Sequence, residues 1–205
     1  MASLISPRIN SNSNIRSSLQ ETDYSAFVTI NDSHYEPFDQ LMILLTQYGR
    51  ELVWSLVGIF VLIFGGSTGR RTIVIMALTM LVLVPIGALS KETIVRPRPT
   101  IDDDFFLIAP DNEFAFPSGH ALLVSAAAAI MLALYSDTYR KRLLSIGLAV
   151  EAGLVCFSRV YVGGHYPLDV VGGILLGVGV AFILVALVKP IRERFLQPIA
   201  RTLKA

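Results

Sequence analysis

"SRVYVGGHYPLDVVGGILLGVGVAFILVALV", residues 158–188, opens with an arginine, a histidine and an aspartate and then runs 19 residues, Val170 to Val188, without a charge. As an α-helix the stretch from Pro167 to Val188 is long enough to cross a hydrocarbon core of roughly 30 Å. The solvent of this half of the chain is therefore a bilayer, and Arg159, His165 and Asp169 stand at its edge, where charge is costly and calls for a reason.

The whole chain agrees. Its 205 residues are 53% hydrophobic and 16% charged, with a mean hydropathy of +0.60, too apolar for an ordinary soluble domain. A net charge of +1 gives no electrostatic footprint for nucleic acid, and no P-loop or dinucleotide fingerprint is present. The single cysteine, Cys156, cannot form an intramolecular disulfide. Five runs are apolar enough to span: Glu51–Gly66, Thr72–Ser90, Ser118–Tyr135, Leu143–Ser158 and Pro167–Val188. The fold class expected is an all-α membrane protein, a bundle of five transmembrane helices with its site at one membrane face. A sixth stays open at residues 37–50, where "PFDQLMILLTQY" (Pro37–Tyr48) reads as an interfacial helix or as a lead-in to the first span. Residues 1–20 are rich in Ser and Asn without the apolar core of a signal peptide. Residues 1–36 are thus expected to be a mobile polar segment ahead of a transmembrane domain over 37–205.

Because the chain reverses at each crossing, five spans bring three polar clusters to one face: "KETIVRPRP" (Lys91–Pro99), "PSGH" (Pro117–His120) and the opening stretch. Each has a plain reading. Lys91 and Arg98 could be interfacial anchors. Ser118 could be an N-cap. Pro167 and Asp169 suit the first turn of a helix. Arg159 and His165 are not needed for any of these.

Taken together, Lys91 followed by six residues and Arg98-Pro99, then PSGH, then Ser158-Arg159 followed by five residues, His165, three more and Asp169 resemble the signature of the type 2 phosphatidic acid phosphatase family. The motifs cover Lys91 to Asp169, and the span layout extends the likeness over most of the chain. Many members have six spans where this sequence shows five. The signature is shared with soluble vanadate-dependent haloperoxidases, a reading that the spans disfavour.

The residue types also fit phosphoryl transfer by their own chemistry, which needs positioning, neutralisation of the equatorial oxygens, a nucleophile and an acid. Lys91, Arg98 and Arg159 supply cations, the arginines with two-pronged geometry. Ser118 and Gly119, at a helix start, offer backbone N–H groups and a hydroxyl to an anion. His165 has Asp169 four residues on to orient its ring, which suits it as nucleophile. His120 suits the general acid to the leaving oxygen. The resemblance implies the same: a phosphohistidine intermediate hydrolysed by water, with no metal or other cofactor.

Other features carry less. Glu151, inside the fourth span, could be functional or a carboxyl facing the bundle interior. Gly173 and Gly177 form a G-x-x-x-G that with Ala126–Ala129 reads as close helix packing. Asp102–Asp104 reads as a solvated loop, His34 has no role, and Asn31-Asp32-Ser33 is a weak glycosylation sequon. Two rival functions remain at this point. A metallohydrolase would use His120, His165 and Asp169 as ligands, though the neighbouring cations would repel a divalent ion. A phospholipid-binding carrier or scaffold would leave the His–Asp pair without purpose.

Ten Lys/Arg lie on the face opposite the site (Arg70, Arg71, Arg140, Lys141, Arg142, Lys189, Arg192, Arg194, Arg201, Lys204) and seven on the site face (Arg8, Arg16, Arg50, Lys91, Arg96, Arg98, Arg159). Setting aside the three phosphate cations and the distant tail leaves ten against two near the membrane, which puts the site on the extracytoplasmic face of a multi-pass cell-membrane protein. The cations at headgroup level above apolar spans suit a membrane lipid phosphate. Arg96, beside Arg98 in "RPRP", would serve a second phosphate, which favours a polyprenyl (undecaprenyl-type) diphosphate. Phosphatidic acid or phosphatidylglycerol phosphate is the alternative.

Overall fold

The computed structural model describes residues 8–32, 34–99, 107–108 and 113–191. The Asp102–Asp104 run, Ser33 of the sequon, and Arg192, Arg194, Arg201 and Lys204 lie outside them. The described residues are helical without a strand: α1 (Arg8–Asn31), α2 (Glu36–Leu44), a π-helical stretch (Leu45–Val53), α3 (Trp54–Phe64), α4 (Gly66–Ile94), α5 (Gly119–Leu134), α6 (Tyr139–Tyr161) and α7 (Pro167–Ile191).

Four of the helical stretches, Glu36–Phe64, Gly66–Ile94, Tyr139–Tyr161 and Pro167–Leu187, are long and apolar enough to cross a membrane. Residues 37–50 belong to the first of these. They lengthen that span, as one of the two sequence expectations has it, and do not form a separate crossing. The fifth expected span, α5, has 16 residues, about 24 Å of helix. It is the centre of the bundle, buried from Ala121 to Ile130 on nearly every side and packed by α4, α6 and α7. Outward-facing Leu56, Ile63, Leu81, Leu89 and Leu175 supply the exposed apolar band that lipid would cover.

Small residues set the closest approach. A Cβ on Gly173 would stand 2.7 Å from the Ser118 carbonyl oxygen, and one on Gly177 would stand 2.2 Å from that of Leu122 and 2.6 Å from Ser125 Oγ. The G-x-x-x-G thus lets the α7 backbone lie directly on α5. This contact registers the start of α7 against the start of α5, where two of the three motifs sit.

The N-terminal segment differs from its expectation. Residues 8–31 form a helix, and its second half is fastened to the bundle by Asp23, Phe27 and Asn31, spaced four apart on one face. Phe27 is fully buried and meets the Tyr166 ring edge-on at 5.2 Å. Asn31 donates to Phe27 O at 2.9 Å and Val160 O at 3.1 Å, so this sequon asparagine is a buried tether. Asp23 accepts from Leu168 N at 2.9 Å and pairs with Arg96. The Ser- and Asn-rich composition around them conceals these three anchors.

Two outcomes follow for stability in detergent. Gly177→Val overpacks a backbone contact and should destabilise the bundle by about 1–3 kcal/mol. Asp23→Ala strips a charged partner from Arg96 and should cost on the order of 3 kcal/mol, both read as a fall in Tm; an unchanged Tm for either variant contradicts the corresponding contact.

Candidate active site

The last turn of α4 carries Lys91, and Val95 then takes a left-handed φ of 50° while its N–H donates to Lys91 O at 3.0 Å. That conformation disfavours a β-branched side chain; it is held because it swings the chain out of the helix and back over the bundle. Arg98 is delivered by this turn. Its Nε donates to Glu113 O at 2.7 Å and its Nη1 to Gly164 O at 2.8 Å, with Nη1 3.4 Å from His165 Nε2. One guanidinium therefore joins the first motif, the chain leading into the second, and the third.

The second motif enters through a backbone bond, Ser118 N to Asp169 O at 3.0 Å. Ser118 occupies the N-cap position of α5 but its hydroxyl makes no capping bond. Its Oγ is buried without a hydrogen-bond partner. The plain N-cap reading thus accounts for the position and not for the hydroxyl, which a bound phosphate oxygen would satisfy. Gly119 shares a cleft of about 390 Å³ with Lys91, Glu113 and Pro117, and Lys91 Nζ is paired with the exposed Glu113 carboxylate.

The third motif folds on glycine. Gly163 has a φ of 85°, and a Cβ on Gly164 would come within 3.1 Å of Arg159 Nη2, so glycine lets the turn close over the arginine without displacing it. His165 N donates to Arg159 O at 3.1 Å, and Arg159 Nη1 donates to Thr46 Oγ1 at 2.7 Å. His165 and Asp169 are both buried. Asp169 Oδ2 lies 3.8 Å from His165 Nδ1 and accepts from Tyr166 N at 3.0 Å, while Oδ1 accepts from Arg96 Nη1 at 2.7 Å. With a carboxylate facing Nδ1 and a guanidinium facing Nε2, the lone pair belongs on Nε2. Burial, reinforced by Arg159 and Arg98 against the opposing pull of Asp169, lowers the His165 pKa to about 4, so the ring is neutral at ordinary pH.

Arg98, Ser118, Gly119, His120, Arg159, His165 and Asp169 are thus brought together at the convergence of α5, α6 and α7, with Lys91 at the rim. Arg96 is placed otherwise than the sequence suggests. Its two terminal nitrogens engage Asp169 and Asp23, and its guanidinium lies 4.7 Å over the Tyr166 ring. It clamps the far side of Asp169 and does not reach toward a second phosphate.

Sequence reasoning assigned no role to Asp23, Thr46, Arg50 and Glu113. Arg50 was visible as a charge within an apolar stretch; its Nη1 lies 3.3 Å from His120 Nδ1. Asp23 lay in polar sequence that gave no signal. Glu151 accepts from Trp54 Nε1 at 3.0 Å and packs toward Gly49, facing the bundle interior. His34 contacts Tyr161 O at 3.2 Å. Among the described residues no group of three or more His, Cys, Asp or Glu is placed to hold a metal ion.

Residues 70–193 match the PAP2 superfamily model. An undecaprenyl-diphosphatase of Sulfolobus acidocaldarius is 35% identical over 159 residues, covering 77% of this chain and 74% of that protein. The undecaprenyl-diphosphatase BcrC of Bacillus subtilis is 26% identical over 164 residues, covering 78% and 81%. In fold, the chain is similar to the crystal structure of a transmembrane PAP2-type phosphatidylglycerolphosphate phosphatase from Bacillus subtilis, with a TM-score of 0.64, 23% identity and coverage of 87% of this chain and 89% of that one. With helices of membrane-spanning length, a converged site of three cations and two histidines, and these relatives, the chain belongs to the PAP2 superfamily and is an integral membrane phosphoric ester hydrolase.

Proposed function

We propose that this lipid phosphatase removes the terminal phosphate of a polyprenyl diphosphate through a phosphohistidine on His165, at the extracytoplasmic face. The observation that carries the mechanism is the pairing of His165 Nε2 with Arg98 Nη1 at 3.4 Å, which sets a neutral imidazole lone pair against a phosphate-binding guanidinium.

Arg98, Arg159, Lys91 and the Ser118–Gly119 helix start hold the equatorial oxygens of the terminal phosphate, and Lys91 exchanges Glu113 for it. His165 Nε2 attacks phosphorus as the bond to the leaving oxygen breaks, and Asp169 stabilises the positive ring that results. His120 gives a proton to the leaving oxygen. Water then attacks the phosphohistidine, its proton returning to His120, and inorganic phosphate and His165 are regenerated. Arg50 Nη1 faces His120 Nδ1, and a guanidinium cannot accept a hydrogen bond, so His120 takes up its doubly protonated acid form when bound substrate draws Arg50 off Nδ1, and Nε2 then transfers the proton.

The substrate reading is supported by the two undecaprenyl-diphosphatase relatives and by a site at the edge of a membrane bundle. The role expected of Arg96 no longer contributes. Phosphatidylglycerol phosphate is the second reading, favoured by the likeness in fold to the phosphatidylglycerolphosphate phosphatase of Bacillus subtilis. The extracytoplasmic placement rests on the charge asymmetry of the connections.

Purified protein in detergent should release phosphate from polyprenyl diphosphate faster than from phosphatidate or phosphatidylglycerol phosphate, and the reverse order would favour the second reading. His165→Ala should lower kcat by at least about a thousandfold, and Asp169→Asn strongly but less. Vanadate should inhibit by taking the five-coordinate geometry of the transition state. Wild-type rates from His165→Ala would refute the covalent route.

The depressed His165 pKa has its own readout. Since the folded value of about 4 lies below the ordinary 6.5, the ring should stay neutral as pH falls through that ordinary value and take a proton only near the lowered one, seen in the ¹⁵N shifts of histidine-labelled protein and assigned with His165→Ala. A midpoint at the ordinary histidine value would contradict the buried, cation-flanked environment. For sidedness, a cysteine replacing Asp103, in the connection between α4 and α5, should react with an impermeant thiol reagent in intact cells; labelling only after lysis would place the site inside.

A further inference from the structure

Arg50 belongs to none of the three motifs, yet the π-helical stretch carries it into the site. Its Nε donates to Glu51 Oε1 at 2.6 Å and Nη2 pairs with the same oxygen, which points Nη1 at His120 Nδ1, 3.3 Å away. A Cβ on Gly119 would stand 4.0 Å from that nitrogen, so Arg50, His120 and the start of α5 form one patch. Directly below, Arg50 and Glu51 stand at the mouth of a groove of about 700 Å³ whose walls include Trp54, Gly58 and Leu62 of α3, Met76 and Met80 of α4, and Ala127 of α5. From Arg50 to Leu62 the groove follows 12 residues of helix, about 18 Å into the apolar layer.

We propose that Arg50 binds the second, lipid-proximal phosphate of the substrate, and that the hydrocarbon chain attached to that phosphate descends the groove between α3, α4 and α5. The proposal rests on the diphosphate reading above. In that reaction the bond that breaks joins the terminal phosphorus to the bridging oxygen. The electron pair stays with that oxygen, which takes the Nε2 proton of the His120 imidazolium, the form reached once the second phosphate draws Arg50 off Nδ1, and the leaving group is the lipid monophosphate. The phosphate that carries the departing oxygen must therefore lie beside His120, where Arg50 is placed together with Arg159, which the terminal phosphate engages. Arg50 neutralises charge that develops on the leaving group, a task distinct from holding the terminal phosphate. A monoester lipid puts a carbon at this position and gives Arg50 less to bind. The smaller cleft at Lys91 and Glu113 opens beside Gly119 and does not include Arg50 or His120 among its walls, so a chain leaving the second phosphate enters the groove that begins at Arg50.

The test compares wild type, Arg50→Gln, Arg50→Lys and Gly58→Phe on a long-chain polyprenyl diphosphate, a short-chain prenyl diphosphate and phosphatidate. Arg50→Gln should lower the ratio of kcat/KM for long-chain diphosphate over phosphatidate by about ten- to a hundredfold, the loss of one charge-assisted hydrogen bond, and Arg50→Lys should recover part of it. A ratio equal to wild type in Arg50→Gln would show that Arg50 merely orients His120 and would overturn the proposal. A Cβ on Gly58 would meet nothing within 4 Å, so a phenylalanine there fills the groove without a clash at its root. It should raise KM for the long-chain diphosphate several-fold more than for the short-chain one, and equal KM changes would remove the groove from the proposal. Wild type that prefers phosphatidate would overturn the diphosphate reading itself, an outcome separate from a failure of Arg50 alone.

Discussion

A carboxylate with no solvent exposure, Asp169, is the constraint on which the site depends. Burying a charge at the edge of a bilayer is tolerable only with close compensation. That compensation comes from Arg96 on one oxygen and from Tyr166 N on the other, with His165 Nδ1 3.8 Å from the latter, while the backbone oxygen of the same residue accepts from Ser118 N. The carboxylate thus draws the first and third motifs to one point, and the backbone oxygen of the same residue fastens the second to it. The small residues of α7 that allow its backbone onto α5 make the same requirement from below.

The clamp propagates outward. Arg96 has two donors to spend on carboxylates, and Asp23 takes the second. Because Asp23 also accepts from Leu168 N, α1 is tied at once to the chain that leaves α4 and to the first turn of α7. A polar N-terminal helix thus becomes part of the scaffold that fixes the Asp169 carboxylate beside His165. The Phe27 ring on Tyr166 and the Asn31 bonds keep this helix in register with α6 and α7.

The bundle and its motif residues were legible because both signals are local: apolar runs of span length, and charged residues stranded at their ends. Gly173 and Gly177 could be read as packing for the same reason. Arg96 misled because adjacency in "RPRP" says nothing of direction; after the left-handed turn at Val95 the non-helical chain sends Arg96 and Arg98 to different partners. Asp23, Phe27 and Asn31 were spaced as a helical face, but three anchors in a polar background do not produce an apolar stripe. Arg50 was counted only as a charge, since its position beside His120 depends on how the first span packs on α5.

The partners of the cations also sort them by task. Arg96 is neutralised by carboxylates that are almost wholly buried, with side-chain exposures of 1% for Asp23 and 0% for Asp169. Exchanging either for a ligand would strand a desolvated charge, so Arg96 is committed to structure. Lys91 and Arg50 are paired with Glu113 and Glu51, whose side chains are 70% and 54% exposed. Those carboxylates return to water at little cost, and a phosphate dianion offers each cation a stronger partner than the one it gives up. A sequence motif identifies which residues are basic. The exposure of the acid beside Lys91, Arg50 and Arg96 separates the two cations whose partners return readily to water from the one whose partners cannot.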